Sequence, residues 1–405
     1  MDIMVNHAVL SGELDIPASK SCAHRLIICA ALAEGESVIS GVTMSKDIEA
    51  TIGAMTALGA GFEINGDAVK VRGIGNRAEQ AVIDCNESGS TLRFIIPVAA
   101  ALGTEAEFKG RGRLPQRPID IFKRELGRNG ITFLTEEMPY RISGKLRGGE
   151  YRIEGDVSSQ FVTGLLFALP LLDQDSEIVL TSHLESRPYV DITIDILRKF
   201  GVTVEETENS FRIRGNQRFL AHNERVEGDY SQAAFFYVAN ALGSDVNIGN
   251  LDENSVQGDR RITELVREWK TEGCYKADCS DIPDLVPVLA VLGAFGRKRS
   301  VIYNAKRLRI KESDRLSTTA AMLNALGGDV EVTDDGLIIE PTDAMHGGTV
   351  DGAGDHRIVM AAAVAATAIS GEVIIRGAEA AEKSYPDFFS DYTKLGGKAN
   401  VIDLE

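Results

Sequence analysis

A helix–strand pattern that recurs six times constrains the fold of this chain more than any other feature of its sequence. Each unit begins with an apolar, alanine-rich helix and a β-rich stretch, and continues with an amphipathic helix that ends at glycine and leads into a short strand. The units recur about every 70 residues, with the fifth expected to be shorter, which indicates a fold of repeated supersecondary units. The six apolar helices are predicted at Ser21–Ala33, Ser90–Leu102, Gln160–Leu172, Gln232–Leu242, Leu285–Phe295 and Ile358–Ile369.

The two kinds of helix differ in where they are expected to lie. The first helix of each unit is apolar on most faces and is predicted to be buried, whereas the second is polar on one side and is predicted to be exposed. Glycine suits the end of the second helix because it adopts a left-handed conformation at little cost. The second helices are predicted at Asp47–Gly61, Pro118–Gly130, Val190–Gly201, Ile262–Gly273, Asp314–Gly328 and Pro386–Gly397.

The chain length predicts how the units are grouped. A chain of 405 residues exceeds one ordinary core, so two domains of three units are expected. The boundary is predicted near Arg225–Asp229, between the third and fourth units. The sequence contains no GxGxxG between a strand and a helix and no GxxxxGK[ST] loop, so the expected α/β fold is not a dinucleotide-binding or P-loop fold.

Charge and cysteine content exclude several classes of function. A formal net charge of −17 argues against binding to nucleic acid or to an anionic membrane, because the average field repels both. Five cysteines without a CxxC pair predict a reduced, cytoplasmic protein without a zinc site. Residues 1–10 lack the order of a signal peptide, and the most apolar run, Ile358–Ile369, is too short to span a membrane.

Eight basic side chains lie at the starts of predicted helices. Helix N-termini attract anions through free N–H groups and the macrodipole, so a cation there is unfavourable unless an anionic ligand joins it. If the repeats are pseudo-symmetric, equivalent helix starts converge on one cleft that would bind a polyanion. Arg would grip carboxylate or phosphate through two bonds, and Lys would act as a point charge. The eight are Lys20, Arg25, Arg93, Arg117, Lys311, Arg315, Arg357 and Lys383.

Acid–base candidates lie in the same segments. Asp284 comes at the start of the fifth apolar helix, Glu312 lies beside a cation, and Asp355 and His356 open the sixth apolar helix. The alternative for Asp284 and Asp355 is helix capping, and the alternative for Glu312 is a surface ion pair. The sequence contains no GxSxG elbow and no HExxH motif, so neither a hydrolase triad nor a metal site is expected.

Nine motifs in a fixed order resemble the 5-enolpyruvylshikimate-3-phosphate (EPSP) synthase family over nearly the full length of the chain. Each motif alone is weak, but their order is highly specific. The motifs are Ser19-Lys20-Ser21 with Arg25, Ser88-Gly89-Ser90-Thr91-Leu92-Arg93, Arg117-Pro118-Ile119, Ser158-Ser159-Gln160-Phe161, Ser186-Arg187-Pro188-Tyr189, Ile282-Pro283-Asp284, Lys311-Glu312-Ser313-Asp314-Arg315, Asp355-His356-Arg357 and Lys383-Ser384-Tyr385-Pro386-Asp387.

The resemblance implies an α/β (α+β) fold of two pseudo-symmetric domains, each of three βαβαββ repeats arranged as an inside-out α/β barrel. Residues 15–227 would form a domain that binds mainly shikimate 3-phosphate. Residues 1–14 and 228–405 would form a domain that contributes much of the phosphoenolpyruvate site. The resemblance also implies an active site in the cleft between closing domains, a monomer, no metal and no organic cofactor.

The resemblance further implies a role for each candidate residue. Contacts to shikimate 3-phosphate would come from Lys20, Ser21, Arg25, Ser158, Ser159, Gln160, Ser186, Tyr189, Asp284 and Lys311. Contacts to phosphoenolpyruvate would come from Lys20, Gly89, Arg93, Arg117, Gln160, Arg315, His356, Arg357 and Lys383. The proton-transfer groups would be Asp284, Glu312 and Lys20.

These residue types suit the implied reaction of the shikimate pathway. The 5-hydroxyl of shikimate 3-phosphate loses a proton as it attacks C2 of phosphoenolpyruvate, C3 gains a proton, and the tetrahedral intermediate then loses phosphate. Two carboxylates and Lys20 can move these protons, while the cations hold the anionic groups and stabilise charge in the transition state. Which carboxylate performs which step stays open.

Two alternative functions share these features. UDP-N-acetylglucosamine enolpyruvyl transferases share the repeat architecture, but that family usually carries a cysteine in the loop before the position of Arg117, and residues 111–116 here contain none. A non-catalytic polyanion-binding protein would keep the cations but would not need Asp284, Glu312 and Lys20 together.

Two positions depart from the family pattern. Glu87 and Arg307 stand where relatives commonly carry asparagine, which puts details of the substrate contacts in doubt. Gly89 is retained, and a larger residue there excludes the inhibitor glyphosate in the family. Some sensitivity to glyphosate is therefore expected.

Overall fold

A computed structural model describes residues 1–402 of the chain, which form two compact units. We call Ala18–Glu227 the N-terminal domain. Met1–Pro17, together with the described residues from Gly228 onward, forms the C-terminal domain. Residues 15–17, expected in the N-terminal domain, belong to the C-terminal one, where Ile16 N donates to Gly249 O over 3.2 Å. Residues 403–405 of the expected C-terminal domain lie outside the described residues.

The helices and strands alternate through both domains. The chain begins with β1 (Asp2–Asn6) and β2 (Ser11–Asp15) of the C-terminal domain. The N-terminal domain contains α1 (Lys20–Leu32), β3 (Glu36–Ser40), α2 (Lys46–Ala57), β4 (Gly61–Asn65), β5 (Ala68–Arg72), β6 (Gln80–Asp84), α3 (Gly89–Leu102), β7 (Glu105–Lys109), α4 (Asp120–Arg128), β8 (Ile131–Phe133), β9 (Tyr140–Gly144), β10 (Glu150–Ile153), α5 (Ser159–Ala168), β11 (Ser176–Leu180), α6 (Arg187–Lys199), β12 (Glu205–Glu206), β13 (Ser210–Ile213) and β14 (Glu224–Arg225).

The C-terminal domain continues the same alternation. It contains α7 (Tyr230–Ala241), β15 (Asp245–Gly249), α8 (Ile262–Glu272), β16 (Lys276–Asp278), α9 (Val286–Ala294), β17 (Ser300–Tyr303), α10 (Arg315–Ala325), β18 (Asp329–Val332), β19 (Leu337–Glu340), β20 (Gly348–Asp351), α11 (His356–Ala365), β21 (Glu372–Arg376), α12 (Phe388–Lys394) and β22 (Lys398–Ile402). Short 3-10 helices lie at Leu114–Gln116, Leu169–Leu171, Gly258–Arg261, Pro283–Leu285, Lys306–Ile310 and Ala378–Lys383.

Of the six sheets that the described residues form, five share one pattern of strand pairing. In the order β6-β7-β9-β8, the first pair of strands is parallel and the next two pairs are antiparallel. The same pattern gives β10-β11-β13-β12, β14-β3-β5-β4, β16-β17-β19-β18 and β20-β21-β1-β22, while β15 pairs with β2 alone. The fourth unit therefore lacks its hairpin, and the expectation that the fifth unit would be the shorter one was wrong.

The first helix of each unit forms the core, as predicted. Every residue of α9 is buried, and α1, α3, α5, α7 and α11 are buried along most of their length. The sheets bury one face only: Ile83 of β6 is 1% exposed and the neighbouring Val82 is 59% exposed. The α/β class is thus confirmed, with helices inside and sheets outside, and within residues 1–402 none of the six sheets closes on itself.

A glycine with positive φ follows each amphipathic helix, as predicted, but not always the predicted one. Gly130, Gly201 and Gly273 are the predicted residues, whereas Gly59, Gly327 and Gly396 take the places of the predicted Gly61, Gly328 and Gly397. Gly201 follows α6 with φ 80°, and Gly273 caps α8 with φ 77°. The turn directs the chain from each exposed helix back to its sheet. Among residues 1–402, no helix combines the length and apolar character needed to cross a membrane.

Candidate active site

The start of α1 places two predicted cations in the N-terminal domain. Ser19 caps the helix, its Oγ accepting from Cys22 N over 3.4 Å. Lys20 Nζ lies 3.0 Å from Asp47 Oδ2 at the first turn of α2. Arg25 is 3% exposed, and its guanidinium donates to Ser21 O at 2.7 Å and Tyr189 O at 2.8 Å. The Arg25 fork therefore joins the starts of α1 and α6.

Arg93 connects the starts of α3 and α5. Its Nη1 donates to Gln160 Oε1 over 2.8 Å, and its Nη2 donates to Pro118 O over 3.0 Å. Gln160 in turn donates from Nε2 to Ser90 Oγ over 2.9 Å. The same guanidinium lies 5.1 Å from the centre of the Phe161 ring. Gln160 is thereby held between a cation and the first turn of α3.

Gly89 and Arg117 are in direct contact. Ser88 caps α3, so Gly89 is the first residue of the helix, and a Cβ at this position would overlap Arg117 Nη1. The absence of a side chain at Gly89 is what allows the guanidinium to lie against the helix start. Backbone N–H groups and a cation together make this turn suited to an anion.

The remaining predicted groups of the N-terminal domain lie at the starts of α5 and α6. Ser158 caps α5, accepting from Gln160 N over 3.3 Å, and Ser159 is the first residue of that helix. Ser186 precedes α6 in a left-handed conformation, with φ 57°. Tyr189 packs its half-buried ring against the core. Non-glycine residues rarely adopt positive φ, and such strain is often found at functional sites.

Arg315 is the centre of an ion cluster in the C-terminal domain. It opens α10, is 1% exposed, and is surrounded by three carboxylates. Its Nε lies 2.9 Å from Asp355 Oδ2, its Nη1 3.0 Å from Asp284 Oδ1, and its Nη2 2.6 Å from Glu312 Oε2. Such charge-assisted bonds fix the plane of the guanidinium.

Asp284 bridges Arg315 to a second guanidinium. Arg357 Nη2 lies 3.0 Å from Asp284 Oδ2 and 2.9 Å from Ser231 Oγ. Asp284 lies in the 3-10 helix Pro283–Leu285 and stays 21% exposed, whereas Asp355 is fully buried. The capping alternative for Asp284 is not what the structure shows, because its carboxylate binds the two arginines.

Asp355 does cap a helix, as the alternative for that residue predicted. Its Oδ1 accepts from Arg357 N over 3.0 Å at the start of α11, while its Oδ2 accepts from Ser313 Oγ over 3.0 Å. It also holds Arg315, so one carboxylate serves both as a cap and as an ion-pair partner.

The cations control the protonation of these carboxyl groups. Burial acts to raise the pKa of Asp284, but Arg357, Lys311 and Arg315 outweigh it and hold the pKa well below its ordinary range. The pKa of Asp355 is likewise lowered, because Arg315 outweighs burial. Burial lowers the pKa of Lys311 to about 8, against the opposing effect of Asp284 and Glu312. Lys311 is thus a cation that can lose its proton near neutral pH.

Two other predicted residues of the C-terminal domain lie near the start of α11. His356 is buried at the first position of α11, and its Nδ1 lies 4.0 Å from Asp355 Oδ1. Lys383 ends the 3-10 helix Ala378–Lys383, and its Nζ donates to Gly354 O over 3.0 Å. Both segments therefore approach the loop before α11.

Several partners of the predicted residues had no signal in the sequence. Asp47 pairs with Lys20, and Ser231 binds Arg357. Thr193 Oγ1 accepts from Arg25 Nε over 2.8 Å. An acidic residue in the first turn of a helix is ordinary, as is a threonine on a buried helix face, and no spacing connects them to a distant cation. Within residues 1–402, no group of three His, Cys, Asp or Glu side chains is arranged to hold a metal ion.

Comparison with known proteins identifies the class to which this fold and these charge clusters belong. A family model described as EPSP synthase (3-phosphoshikimate 1-carboxyvinyltransferase) matches residues 5–392, which places the chain among the carboxyvinyl transferases. A protein of Clostridium novyi with the name 3-phosphoshikimate 1-carboxyvinyltransferase is 45% identical over 99% of this chain and 98% of its own length. A protein of Clostridium kluyveri with the same name is 44% identical over 98% and 97%.

The chain belongs to the EPSP synthase family. Solved structures agree at the level of the fold. An EPSP synthase from Acinetobacter baumannii superposes with a TM-score of 0.82 at 23% identity, covering 99% of this chain and all of that one.

Proposed function

We propose that this chain transfers the carboxyvinyl group of phosphoenolpyruvate to the 5-hydroxyl of shikimate 3-phosphate and releases phosphate. Family membership and the names of the two clostridial relatives support this reaction. The observation that carries the proposal is the Asp284 carboxylate, which accepts bonds from Arg315 and Arg357 at 3.0 Å each beside the titratable Lys311. A proton-transfer group set among anion-binding cations is what the addition of a hydroxyl to phosphoenolpyruvate requires.

Residues of the N-terminal domain are assigned to both substrates. Lys20, Ser21, Arg25, Ser158, Ser159, Gln160, Ser186 and Tyr189 are proposed to bind shikimate 3-phosphate. The Arg25 fork already joins two of the helix starts involved, which supports a fixed phosphate-binding arrangement. Gly89, Arg93 and Arg117, with Lys20 and Gln160, are proposed to bind phosphoenolpyruvate.

Residues of the C-terminal domain are assigned mainly to phosphoenolpyruvate and to proton transfer. Arg315, His356, Arg357 and Lys383 are proposed to bind phosphoenolpyruvate, and Asp284 and Lys311 to contact shikimate 3-phosphate. An anion that shares Arg315 and Arg357 weakens their bonds to Asp284. The pKa of Asp284 then rises toward the range in which a carboxylate accepts a proton. Substrate binding would in this way allow the Asp284 carboxylate to act as a base. Glu312 and Lys20 are proposed as the other proton-transfer groups.

Phosphate release tests the reaction directly. The purified protein, mixed with phosphoenolpyruvate and shikimate 3-phosphate, should release inorganic phosphate and form the enolpyruvyl product. Release with UDP-N-acetylglucosamine but not with shikimate 3-phosphate would instead support the other enolpyruvyl transferase class. Binding of both substrates without release would support a non-catalytic protein.

Asp284→Ala tests the carboxylate that carries the proposal. The variant should bind both substrates and turn over at least about 100-fold more slowly, the usual scale for loss of a general acid or base. Asp343→Ala removes an exposed carboxylate elsewhere in the same domain and should leave turnover unchanged. Near-normal turnover in folded Asp284→Ala would remove Asp284 from the mechanism. The cytoplasmic location and the monomeric state stay predictions from the sequence.

A further inference from the structure

Four buried polar side chains connect α1 and α2 to the start of α3, and none is among the proposed substrate contacts. His24 Nδ1 lies 2.7 Å from Thr51 Oγ1, which lies 2.7 Å from Thr91 Oγ1. Thr91 Oγ1 donates to Ser88 Oγ over 2.8 Å. All four side chains belong to residues at most 1% exposed. The bonds form a continuous relay from α1 to the cap of α3.

The single hydrogen of each threonine hydroxyl determines which atom of each hydrogen-bonded pair in this relay is the donor. The Thr91 hydroxyl donates to Ser88 Oγ over 2.8 Å, and Asp47 O lies 3.5 Å away as a second acceptor. Because a hydroxyl has one hydrogen, Thr91 must accept from Thr51, and Thr51 must accept from His24. His24 therefore carries its hydrogen on Nδ1 and leaves Nε2 as a bare acceptor.

The surroundings of His24 agree with this tautomer. Its Nε2 is buried and has no hydrogen-bond partner within the described part of the chain. A hydrogen on Nε2 would leave a buried donor unsatisfied as well as reverse the relay. Burial lowers the pKa of His24 to about 3, with Lys20 and Arg25 acting in the same direction against Asp47, so the ring stays neutral at physiological pH.

The relay ends at the turn that contacts Arg117. Ser88 Oγ also accepts from Thr91 N over 3.2 Å, which satisfies the third N–H of α3. The N–H groups of Gly89 and Ser90 have no acceptor within the helix and are available to an anion. Where these two groups point depends on how Ser88 is held.

We propose that His24, Thr51 and Thr91 are positioning residues that hold Ser88, and with it the Gly89–Ser90 turn, in place for an anionic group of phosphoenolpyruvate. The inference rests on the proposed function, which supplies the identity of the anion. The three residues act through Ser88 and do not touch the substrate themselves.

A pair of substitutions at Thr51 separates positioning from packing. Thr51→Val keeps the size of the side chain and removes the hydroxyl in the middle of the relay, while Thr51→Ser keeps the hydroxyl. We expect Thr51→Val to raise KM for phosphoenolpyruvate about tenfold, with kcat and KM for shikimate 3-phosphate within about twofold of wild type. Thr51→Ser should stay within about twofold of wild type in all three constants.

Three kinetic outcomes would overturn the proposal. Unchanged constants in folded Thr51→Val would show that the relay does not act on the site. Equal rises in both KM values would indicate general loosening of the domain. Thr51→Ser as impaired as Thr51→Val would indicate packing. Thermal unfolding of each variant, measured alongside, establishes that the folded protein is compared.

Nitrogen NMR of the wild-type protein tests the relay without any variant at Thr51. In 15N-histidine-labelled protein, the resonances absent from His24→Gln identify this ring. Nδ1 should be protonated and Nε2 unprotonated, without change between about pH 6 and 8. A hydrogen on Nε2, or on both nitrogens, would refute the relay. If the wild type releases no phosphate, the proposed function fails, and calorimetric binding of phosphoenolpyruvate to wild type and Thr51→Val still decides the positioning role.

Discussion

Gly89 is a residue at which a single added methyl group should change the geometry of the site. The missing Cβ is the space that Arg117 Nη1 occupies, so Gly89→Ala must displace the end of a flexible side chain and not the backbone. We expect a folded variant whose KM for phosphoenolpyruvate rises about tenfold or more, since one guanidinium contact to an anion is lost or misaligned. Inhibition by glyphosate should weaken in the same variant, and both are measured by steady-state kinetics.

Gly53→Ala provides the matched control for this substitution. Gly53 lies on α2 with nothing within 4 Å of an added Cβ. That variant should keep its kinetic constants and gain stability of up to about 1 kcal/mol, because alanine is the better helix former. Unchanged kinetics in Gly89→Ala as well would show that Arg117 does not serve the reaction.

Lys311 should impose an alkaline limit on catalysis. Its pKa of about 8 means that the ammonium is charged below that pH and neutral above it, so anion binding weakens as the pH rises through this value. The plot of kcat/KM against pH, which reports the free enzyme, should fall with an apparent pKa near 8. In Lys311→Arg the charge persists, and the fall should move to higher pH.

An exposed lysine provides the comparison for Lys311. Lys298 is 66% exposed. The variant Lys298→Arg should show the same dependence of kcat/KM on pH as the wild type. A profile for Lys311→Arg identical to that of wild type would assign the alkaline limb to another group.

At this scale the sequence pointed to the cations as candidates but could not predict their partners. The motifs predicted Arg315 and Arg357 as anion-binding groups, and the structure holds both through Asp284. Asp284 and Arg357 come from different repeats and lie 73 residues apart, so only the packing of the repeats brings them together. Asp284 and Arg315, like Lys20 and Asp47, belong to two different helices of one repeat, 31 and 27 residues apart, so the packing of those helices determines the pairing. Neither side of such a pair carries local information about the other.

At the scale of the elements, Asp355 both caps α11 and pairs with Arg315. We expect Asp355→Asn to lower the free energy of unfolding by about 3 kcal/mol at pH 7, because the uncharged amide keeps the cap acceptor but leaves Arg315 with one carboxylate fewer. Asp314→Asn is the control, since Asp314 caps α10 at a half-exposed position and its charge contributes about 1 kcal/mol or less. Urea unfolding measures both.

The pH dependence of the Asp355→Asn effect has a defined sign. The folded-state pKa of Asp355 is lowered, because Arg315 outweighs burial. Its contribution is therefore fully present above the unfolded pKa of about 3.9 and is lost as the pH falls through the lower folded value. The difference between wild type and variant should stay constant from pH 7 to about pH 5 and shrink only in stronger acid. A difference that shrinks between pH 7 and pH 5 would contradict this assignment.

The periodicity of the sequence predicted the type of each helix better than its ends. The apolar helices are buried as expected because they have no polar face to turn toward water. The last amphipathic helix was predicted to begin at Pro386, but α12 begins at Phe388. Hydrogen bonds between distant strands determine β14 and β1, so neither strand's place in its sheet could be predicted from local pattern.

At the scale of the whole molecule, β1 lies inside a sheet whose other strands come from the far end of the described chain. β1 lies between β21 and β22, and Val5 is fully buried. Val5→Asp should lower the stability of the C-terminal domain by about 3 kcal/mol or more, because it buries an unpaired charge. Hydrogen exchange should show lost protection in β20, β21 and β22 while the N-terminal domain keeps its protection.

Met4→Asp controls for the position of the substitution in the strand. Met4 alternates with Val5 and is only partly buried on the other face of β1. The control should lose about 1 kcal/mol or less. Equal loss of protection in both domains of Val5→Asp would show that the two domains unfold as one.

The long sequence separation between β1 and its partner strands also determines which domain can fold first during synthesis. The ribosome makes β1 and β2 before all of the N-terminal domain, and only much later the strands β21 and β22 that flank β1. Because domains fold as units while the chain emerges, Ala18–Glu227 can complete its core while the first strands still lack partners. The nascent chain therefore keeps an unpaired strand with Ile3 and Val5 exposed for most of translation, and a chaperone that shields extended apolar segments would bind there.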